Sequence, residues 1–202
     1  MKVSISKGNS KMGAIPSVSL PPVITCPKGA PCAKKCYAAK IARLYPSVRE
    51  AYQNNLDILN ETWGEYWRQV NAAVAMARFF RFHVAGDIPN AAYFKEMVIT
   101  ARNNPHTEIL AFTKQYDIVN RYIDVFGDLP ENLHVIFSRW SAEWNVHIHN
   151  PHDLPMSAVI FKNVTNQPEY EKICGGNCTD CACRGVGCWE LKKGETIAFY
   201  EH

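Results

Sequence analysis

The sequence predicts a single α/β domain over residues 1–202, built as a parallel-stranded open or partial (β/α)6 barrel with a cysteine-rich C-terminal knuckle. Two observations predict this fold class. Short apolar runs alternate with segments of 3.6-residue periodicity, an order typical of parallel strands joined by crossover helices. Several runs, such as Ile-Leu-Ala-Phe, are almost continuously apolar, as expected for strands that are covered on both faces.

Six strands are predicted, over residues 16–20, 79–85, 108–113, 133–138, 158–161 and 196–200. Helical patterns lie between them. One helix is expected to begin at Pro46, since proline is favoured in the first turn of a helix. A second has an apolar stripe that runs from Trp63 to Val74. The same period returns over residues 91–102 and 115–126, which completes the alternation of strands and helices.

Composition and charge narrow the class of protein. A formal net charge of +3 does not indicate a nucleic-acid partner. The sequence has no apolar signal-peptide core and no run of about 18 apolar residues. We therefore expect no membrane partner and a cytoplasmic protein. In that reducing compartment, eight cysteines in a chain with its own core are more typical of metal ligands than of disulfides.

The cysteines form two groups with none between them. The first group, called the loop cysteines, consists of Cys26, Cys32 and Cys36. Three clustered thiolates can bind an iron–sulfur cluster, expected to be of the 4Fe–4S type, with the fourth iron open or bound from elsewhere. The helix-forming segment after Cys36 would place the cluster near a helix start, where backbone N–H groups favour negative charge. Zinc fits three unevenly spaced thiols less well.

The second group lies in a glycine-rich segment, and its members are called the tail cysteines. They are Cys174, Cys178, Cys181, Cys183 and Cys188. Glycines allow the backbone to turn around an ion, and five thiols offer a four-thiolate site with one to spare. A second iron–sulfur cluster and zinc both fit this segment. A further alternative is that one tail thiol is the fourth ligand of the first cluster.

Polar residues follow the predicted strands. Asp87 follows the second strand, Lys114 the third and Arg139 the fourth, while Lys162 and Asn163 follow the fifth. Because parallel strands end at the same edge of a sheet, we expect these side chains to gather beside the loop cysteines. A carboxylate, several cations and thiolates at one edge predict a binding site there.

Several motifs resemble the phage gene-product-eighty-eight family. They are Gly-Asn-Ser-Lys-Met-Gly from Gly8 to Gly13, Thr-Cys-Pro and Cys-Ala-Lys-Lys-Cys-Tyr-Ala in the first cysteine loop, Tyr-Pro-Ser-Val-Arg, and Phe-His-Val-Ala-Gly-Asp. The resemblance covers nearly the whole chain and implies a protein of a phage-infected or lysogenic bacterial host. The turn from Gly8 to Gly13 is basic but lacks the full phosphate-loop pattern, so an ordinary turn is expected there.

More distantly, the chain resembles the radical S-adenosylmethionine (SAM) partial-barrel superfamily. The likenesses are a three-cysteine loop after the first strand and Ala-Gly-Asp after the second strand, where that superfamily has Gly-Gly-Glu. This resemblance implies that Asp87 binds the ammonium group of SAM and that Lys114 or Arg139 binds its carboxylate. The departures are cysteine spacings of five and three residues in place of three and two, and Gly-Asp in place of Gly-Gly-Glu.

Two functions therefore stay open. One is a radical SAM-like enzyme that acts on an unspecified small molecule, with its catalytic residues unassigned. The other is a non-SAM iron–sulfur protein for redox, sensing or structural binding, with a redox partner, or a zinc-binding protein. In the second case Asp87 would form an internal ion pair with Lys114 or Arg139. An open iron favours the enzyme, whereas a protein ligand on every iron favours the other function.

Overall fold

The computed structural model describes residues 1–139, 148–162, 164–165 and 167–201. Its strands are β1 Ile5–Ser6, β2 Ser17–Val18, β3 Phe79–Phe82, β4 Glu108–Thr113, β5 Leu133–Ser138, β6 Met156–Ile160, β7 Lys172–Ile173 and β8 Thr196–Tyr200. They form one sheet in the order β1-β2-β3-β4-β5-β6-β8-β7. The pair β1 and β2 is antiparallel, and every other neighbouring pair is parallel. Within the described residues the two edge strands do not pair, so the sheet is open.

Six α-helices are present in the described part of the chain. They are α1 Tyr37–Leu44, α2 Pro46–Glu61, α3 Trp63–Ala75, α4 Ala91–Asn103, α5 Tyr116–Phe126 and α6 Cys178–Arg184. Local chemistry sets their ends. Pro46 opens α2 with a φ suited to the first turn. The side chain of Asn90 accepts a hydrogen bond from the backbone N–H of Tyr93 at 2.9 Å and so caps α4. Helix α5 ends at Gly127, whose φ is +82°.

The two faces of the sheet are covered differently. Helices α2 to α5 pack on the first face and form the main core, into which Phe80 and Phe82 of β3 point. On the second face a smaller cluster forms between Leu110, Ile136 and Trp189. Because side chains alternate along a strand, a residue between Phe80 and Phe82 faces the second, less covered side. The cavity that both cysteine groups line lies on that second side and at the adjoining strand ends.

The prediction of a mostly parallel α/β sheet is confirmed, and β4, β5 and β8 have the predicted bounds. Strands β2 and β3 are shorter than predicted, and β6 begins two residues earlier. The sheet has eight strands rather than six. The additional strands β1 and β7 have two residues each, too few for a periodic pattern to show in the sequence. They are strands because a sheet edge offers them backbone partners.

Two long connections lie in the C-terminal half of the sheet, one between β5 and β6 and one between β7 and β8. The segment between β5 and β6 includes residues 140–147, which lie outside the described residues, as does Asn163 after β6. Strand β8 lies between β6 and β7, so the tail segment leaves the sheet after β7 and returns beside β6. None of the described helices is long and apolar enough to cross a membrane.

Candidate functional site: a cavity lined by both cysteine groups

The loop that carries the first cysteine group is fixed to the end of β3. The hydroxyl of Thr25 donates to the carbonyl of Pro21 at 2.9 Å and accepts a hydrogen bond from the backbone N–H of Asp87 at 3.1 Å. Gly86 allows this close approach. Its φ is +78°, and a Cβ there would lie 2.6 Å from the carbonyl oxygen of Leu20. The loop therefore depends on a residue without a side chain at this point.

The carboxylate of Asp87 joins the ends of β3 and β4 and is only 4% exposed. Its Oδ1 accepts hydrogen bonds from the hydroxyl of Thr113 at 2.6 Å and the backbone N–H of Ile88 at 2.8 Å. Its Oδ2 accepts one from the backbone N–H of Lys114 at 2.8 Å. Burial raises the pKa of Asp87, and these donors oppose that rise. The group thus already has internal partners, with one lone pair of Oδ2 left over.

The loop cysteines follow this anchor. Cys32 and Cys36 flank a short 3-10 turn, and Cys36 occupies the N-cap position of α1 in an extended conformation. The prediction that a helix starts directly after the third cysteine is confirmed. The hydroxyl of Tyr37 donates to the carbonyl of Val84 at 2.9 Å and ties the start of α1 to the segment after β3. Both ends of the cysteine loop are thus attached to the same sheet edge.

The tail cysteines are held by the N-terminal turn between Gly8 and Gly13. The backbone N–H of Cys178 donates to the carbonyl of Lys11 at 3.0 Å, and the backbone N–H of Ala14 donates to the hydroxyl of Thr179 at 3.0 Å. Gly13 has a φ of +65°, and a Cβ at that position would lie 2.2 Å from the hydroxyl oxygen of Thr179. The turn is therefore a docking contact for α6, in agreement with the ordinary turn expected there.

Helix α6 packs on the second face of the sheet. The side chain of Asn177 accepts from the backbone N–H of Asp180 at 3.2 Å, and Gly185 ends the helix in the left-handed conformation. Trp189, 4% exposed, follows in a short 3-10 turn with its ring centroid 5.1 Å from that of Phe79. The thiols that pack against this cluster are those of Cys178, Cys181 and Cys188.

One cavity of about 1530 Å³ joins the two groups. Seven of the eight cysteines line it, whereas Cys183 does not and is exposed. All eight are free thiols. Among the described residues, no group of three or more His, Cys, Asp or Glu side chains is arranged to hold a single metal ion as it stands. The two cysteine groups, far apart in the sequence, thus face the same space.

Burial controls the acidity of these thiols. It raises the pKa of Cys26 to about 11, with the charges of Asp87 and the neighbouring thiols adding to the effect. Burial also raises the pKa of Cys32, which the cation of Lys114 opposes, and that of Cys188, to about 12. These thiols are protonated at neutral pH in the metal-free chain, so a bound metal must displace their protons.

The structure places the predicted polar residues as follows. Asp87, Lys114 and Arg139 line the cavity beside the loop cysteines. The ammonium of Lys114 donates to the hydroxyl of Ser138 at 2.7 Å. Among the described residues Asp87 forms no ion pair with Lys114 or Arg139, because its carboxylate binds neutral donors instead. Lys162 is not part of the cavity wall.

Sequence reasoning missed Arg81. It lies in β3 between Phe80 and Phe82, on the second face of the sheet, and lines the cavity. Its guanidinium carbon is 4.8 Å from the ring centroid of Phe112. Its positive charge lowers the pKa of Cys188 and that of Tyr37, the residue after Cys36, against the effect of burial. The sequence signal was a single cation inside an otherwise apolar strand.

His83 was missed as well. It is 3% exposed, lines the cavity, and has a φ of +59°, an uncommon conformation outside glycine. Its Nε2 lies 3.1 Å from the hydroxyl of Tyr93, which lies 2.8 Å from the hydroxyl of Tyr66. Burial lowers the pKa of His83 to about 3, and the charge of Arg81 acts in the same direction. His83 is therefore a neutral, buried imidazole at neutral pH.

The fold and the site define an open, mostly parallel α/β protein with a thiol-lined cavity at the carboxyl ends of its strands. The chain belongs to the Gene product 88 family, whose model matches residues 3–196, and this confirms the phage-family resemblance. Searches of curated proteins and of solved structures gave no match.

Proposed function

We propose that this protein binds an iron–sulfur cluster through Cys26, Cys32 and Cys36. The observation that supports this most directly is that all three thiols line one cavity at the carboxyl edge of the sheet, next to the start of α1. Thiolates are the protein ligands of such clusters, and a helix start offers backbone N–H groups to a negatively charged one. Since three thiols serve at most three irons, a 4Fe–4S cluster would keep one iron for another ligand.

The tail cysteines form the second part of the proposal. Cys174, Cys178, Cys181 and Cys188 line the same cavity and supply four thiols for a second cluster or a zinc ion. The exposed Cys183 is then the spare thiol. In a Cys178→Ala, Cys181→Ala double variant we expect less bound metal per chain, with Cys183→Ala as the control that keeps the wild-type amount. Equal metal content in all three proteins would remove the tail site from the proposal.

Anaerobic purification with iron, sulfide and zinc analysis tests the main proposal. We expect a brown protein with acid-labile sulfide and about three or more iron atoms per chain. Electron paramagnetic resonance of the reduced protein should give an iron–sulfur signal. A colourless protein that holds only zinc would show that the thiols serve a different metal and would reject the cluster.

A radical SAM-like enzyme with a partial-barrel fold is the second candidate, favoured by the position of Asp87, Lys114 and Arg139 beside the loop cysteines. The remaining lone pair of Asp87 Oδ2 would accept the ammonium group of SAM, and Arg139 or Lys114 would bind its carboxylate. Charge-assisted contacts of this kind contribute about 1.5–3 kcal/mol each.

Calorimetry with SAM and with its demethylated analogue on the cluster-loaded protein tests this candidate. The enzyme predicts binding in the micromolar range, and at least about tenfold weaker binding after Asp87→Asn, which equals about 1.4 kcal/mol. Absence of heat with wild-type protein and an intact cluster would leave the non-SAM cluster protein as the function.

A further inference from the structure

The cavity between the two cysteine groups is strongly cationic. Ten Lys and Arg residues line it, against four Asp and Glu residues. The whole chain has a formal charge of only +3, so the positive charge is concentrated on this wall and the rest of the surface is acidic on balance. One of the four acids, Asp87, is buried and already bound to internal donors. A cavity of this charge attracts anions.

Arg81 is a cation of this wall that lies within a β-strand. It lies within the sheet, with Ser17 of β2 and Leu110 of β4 as its register partners, rather than in a flexible loop. Phe112 lies two residues after Leu110 on the same side of the sheet. Its ring centroid is 4.8 Å from the guanidinium carbon of Arg81, a cation–π contact. This ring contact restricts the guanidinium group before any ligand arrives, which lowers the entropic cost of binding.

The side chain of Arg81 has an unused hydrogen-bond donor, although its backbone N–H donates to the carbonyl of Pro16 at 3.0 Å. Its Nε is buried and has no partner among the described residues. The ion pairs of the described chain involve other cations, and none includes Arg81. Arg81 is half-buried, and its buried Nε–H lacks an acceptor among the described residues, which is costly. An anion that enters the cavity would supply that acceptor and pair the positive charge.

We propose that the cavity binds a small molecule through an anionic oxo group, a carboxylate or a phosphate, held by the guanidinium of Arg81. The fork of Arg matches two oxygens of such a group in a bidentate contact, and the Phe112 ring contacts the guanidinium. Arg81 lines the same cavity as both cysteine groups, so the bound molecule would share that cavity with them. This site does not require a metal at either group, and it differs from the set of Asp87, Lys114 and Arg139 considered for SAM.

Calorimetry with pyrophosphate and with citrate distinguishes the two anion chemistries. We expect one of the two to bind wild-type protein, both as purified without oxygen and after metal removal under reducing conditions. Arg81→Gln should weaken that binding at least tenfold, and Arg81→Lys, which keeps the charge but loses the planar fork, should have an intermediate effect. The matched control is Arg78→Gln. Arg78 also lies against a ring, that of Phe79 at 5.3 Å, but is exposed and outside the cavity wall.

Three results would overturn the inference. The first is the absence of binding of either anion to wild-type protein. The second is an equal loss of binding in Arg78→Gln and Arg81→Gln, which would indicate non-specific attraction. The third is unchanged anion binding in Arg81→Gln with reduced metal content, which would make Arg81 a counter-charge to the thiolates. If Arg81→Gln does not fold, the inference is tested by anion binding to Arg81→Lys and by the rise in the wild-type melting temperature on anion addition. Loss of the cluster alone leaves anion binding intact and rejects only the proposed function.

Discussion

The two cysteine groups line the same cavity but are positioned by different means. The loop cysteines are part of the sheet edge, since Thr25 and Asp87 bind their loop to the ends of β3 and β4. The tail cysteines lie on a short helix that contacts the sheet face through Trp189 and the N-terminal turn through Thr179. The first group should therefore persist as long as the sheet does, whereas the second depends on a few docking contacts. Selective damage to either side tests this difference.

The largest expected effect is the loss of a loop cysteine. If the proposed cluster is bound, Cys32→Ala should remove its iron completely and lower the melting temperature of the loaded protein, because bound metal adds its binding free energy to folding. The tail metal should stay. Iron and zinc analysis with thermal unfolding measures both effects, and Cys183→Ala is the matched control. Unchanged iron content and melting temperature would contradict the role of this loop.

Trp189→Ala should be the most damaging change on the tail side. Removal of a buried aromatic side chain costs about 3–5 kcal/mol, and here the loss falls on the small cluster that holds α6. We expect the tail metal to be lost first and the loop iron to be retained. Trp63→Ala, on the helix-covered face, is the control, since it should destabilise the protein without selective loss of tail metal. Equal loss of both metals in Trp189→Ala would show that the two groups are not independent.

Gly13→Ala tests the docking turn. The new Cβ would meet the hydroxyl of Thr179 at 2.2 Å and would occupy a backbone conformation with φ of +65°, at a cost of about 1–3 kcal/mol. We expect weaker retention of the tail metal on dilution into a chelator. Gly29→Ala has the same positive-φ strain (φ +75°) but no atom within 4 Å of its Cβ. That variant should affect the loop centre only, and an identical effect of both variants on the tail metal would reject the docking role.

The smallest effect concerns acid. His83 has a folded pKa of about 3, whereas an unfolded histidine titrates near its ordinary value. Its neutral form is favoured in the folded state, so below the ordinary pKa the unfolded chain binds an extra proton. The unfolding free energy should fall by up to about 1.4 kcal/mol per pH unit on acidification through this window.

His83→Asn isolates this contribution. Asparagine tolerates the positive φ of this position and does not titrate. Urea unfolding of both proteins from neutral pH to pH near 4 should therefore show a flatter pH dependence in the variant. Parallel plots of unfolding free energy against pH for the two proteins would show that His83 does not have a strongly lowered pKa in the folded state.

Elements with long, regular patterns could be predicted from the sequence alone. Strands β4 and β5, helix α2 and the helix start after Cys36 follow from local apolar periodicity, proline preference and helix propensity, which act over neighbouring residues. The sequence also predicted that Asp87, Lys114 and Arg139, which follow neighbouring strands, lie at one edge of the sheet, and all three line the cavity. Such inferences need only the rule that parallel strands end together.

Contacts between segments far apart in the sequence are known only from the tertiary structure. No local sequence pattern predicts that Cys188 and Cys36 line one cavity. Nor does one predict that the turn at Gly13 contacts α6, as the hydrogen bond between Ala14 and Thr179, 165 residues apart, shows. Arg81 could be recognised as a site residue only in the folded chain. Its buried Nε without a partner among the described residues and its contact with the Phe112 ring both result from packing. The physical reason is that burial and pairing depend on what the rest of the chain places nearby, which sequence periodicity does not encode.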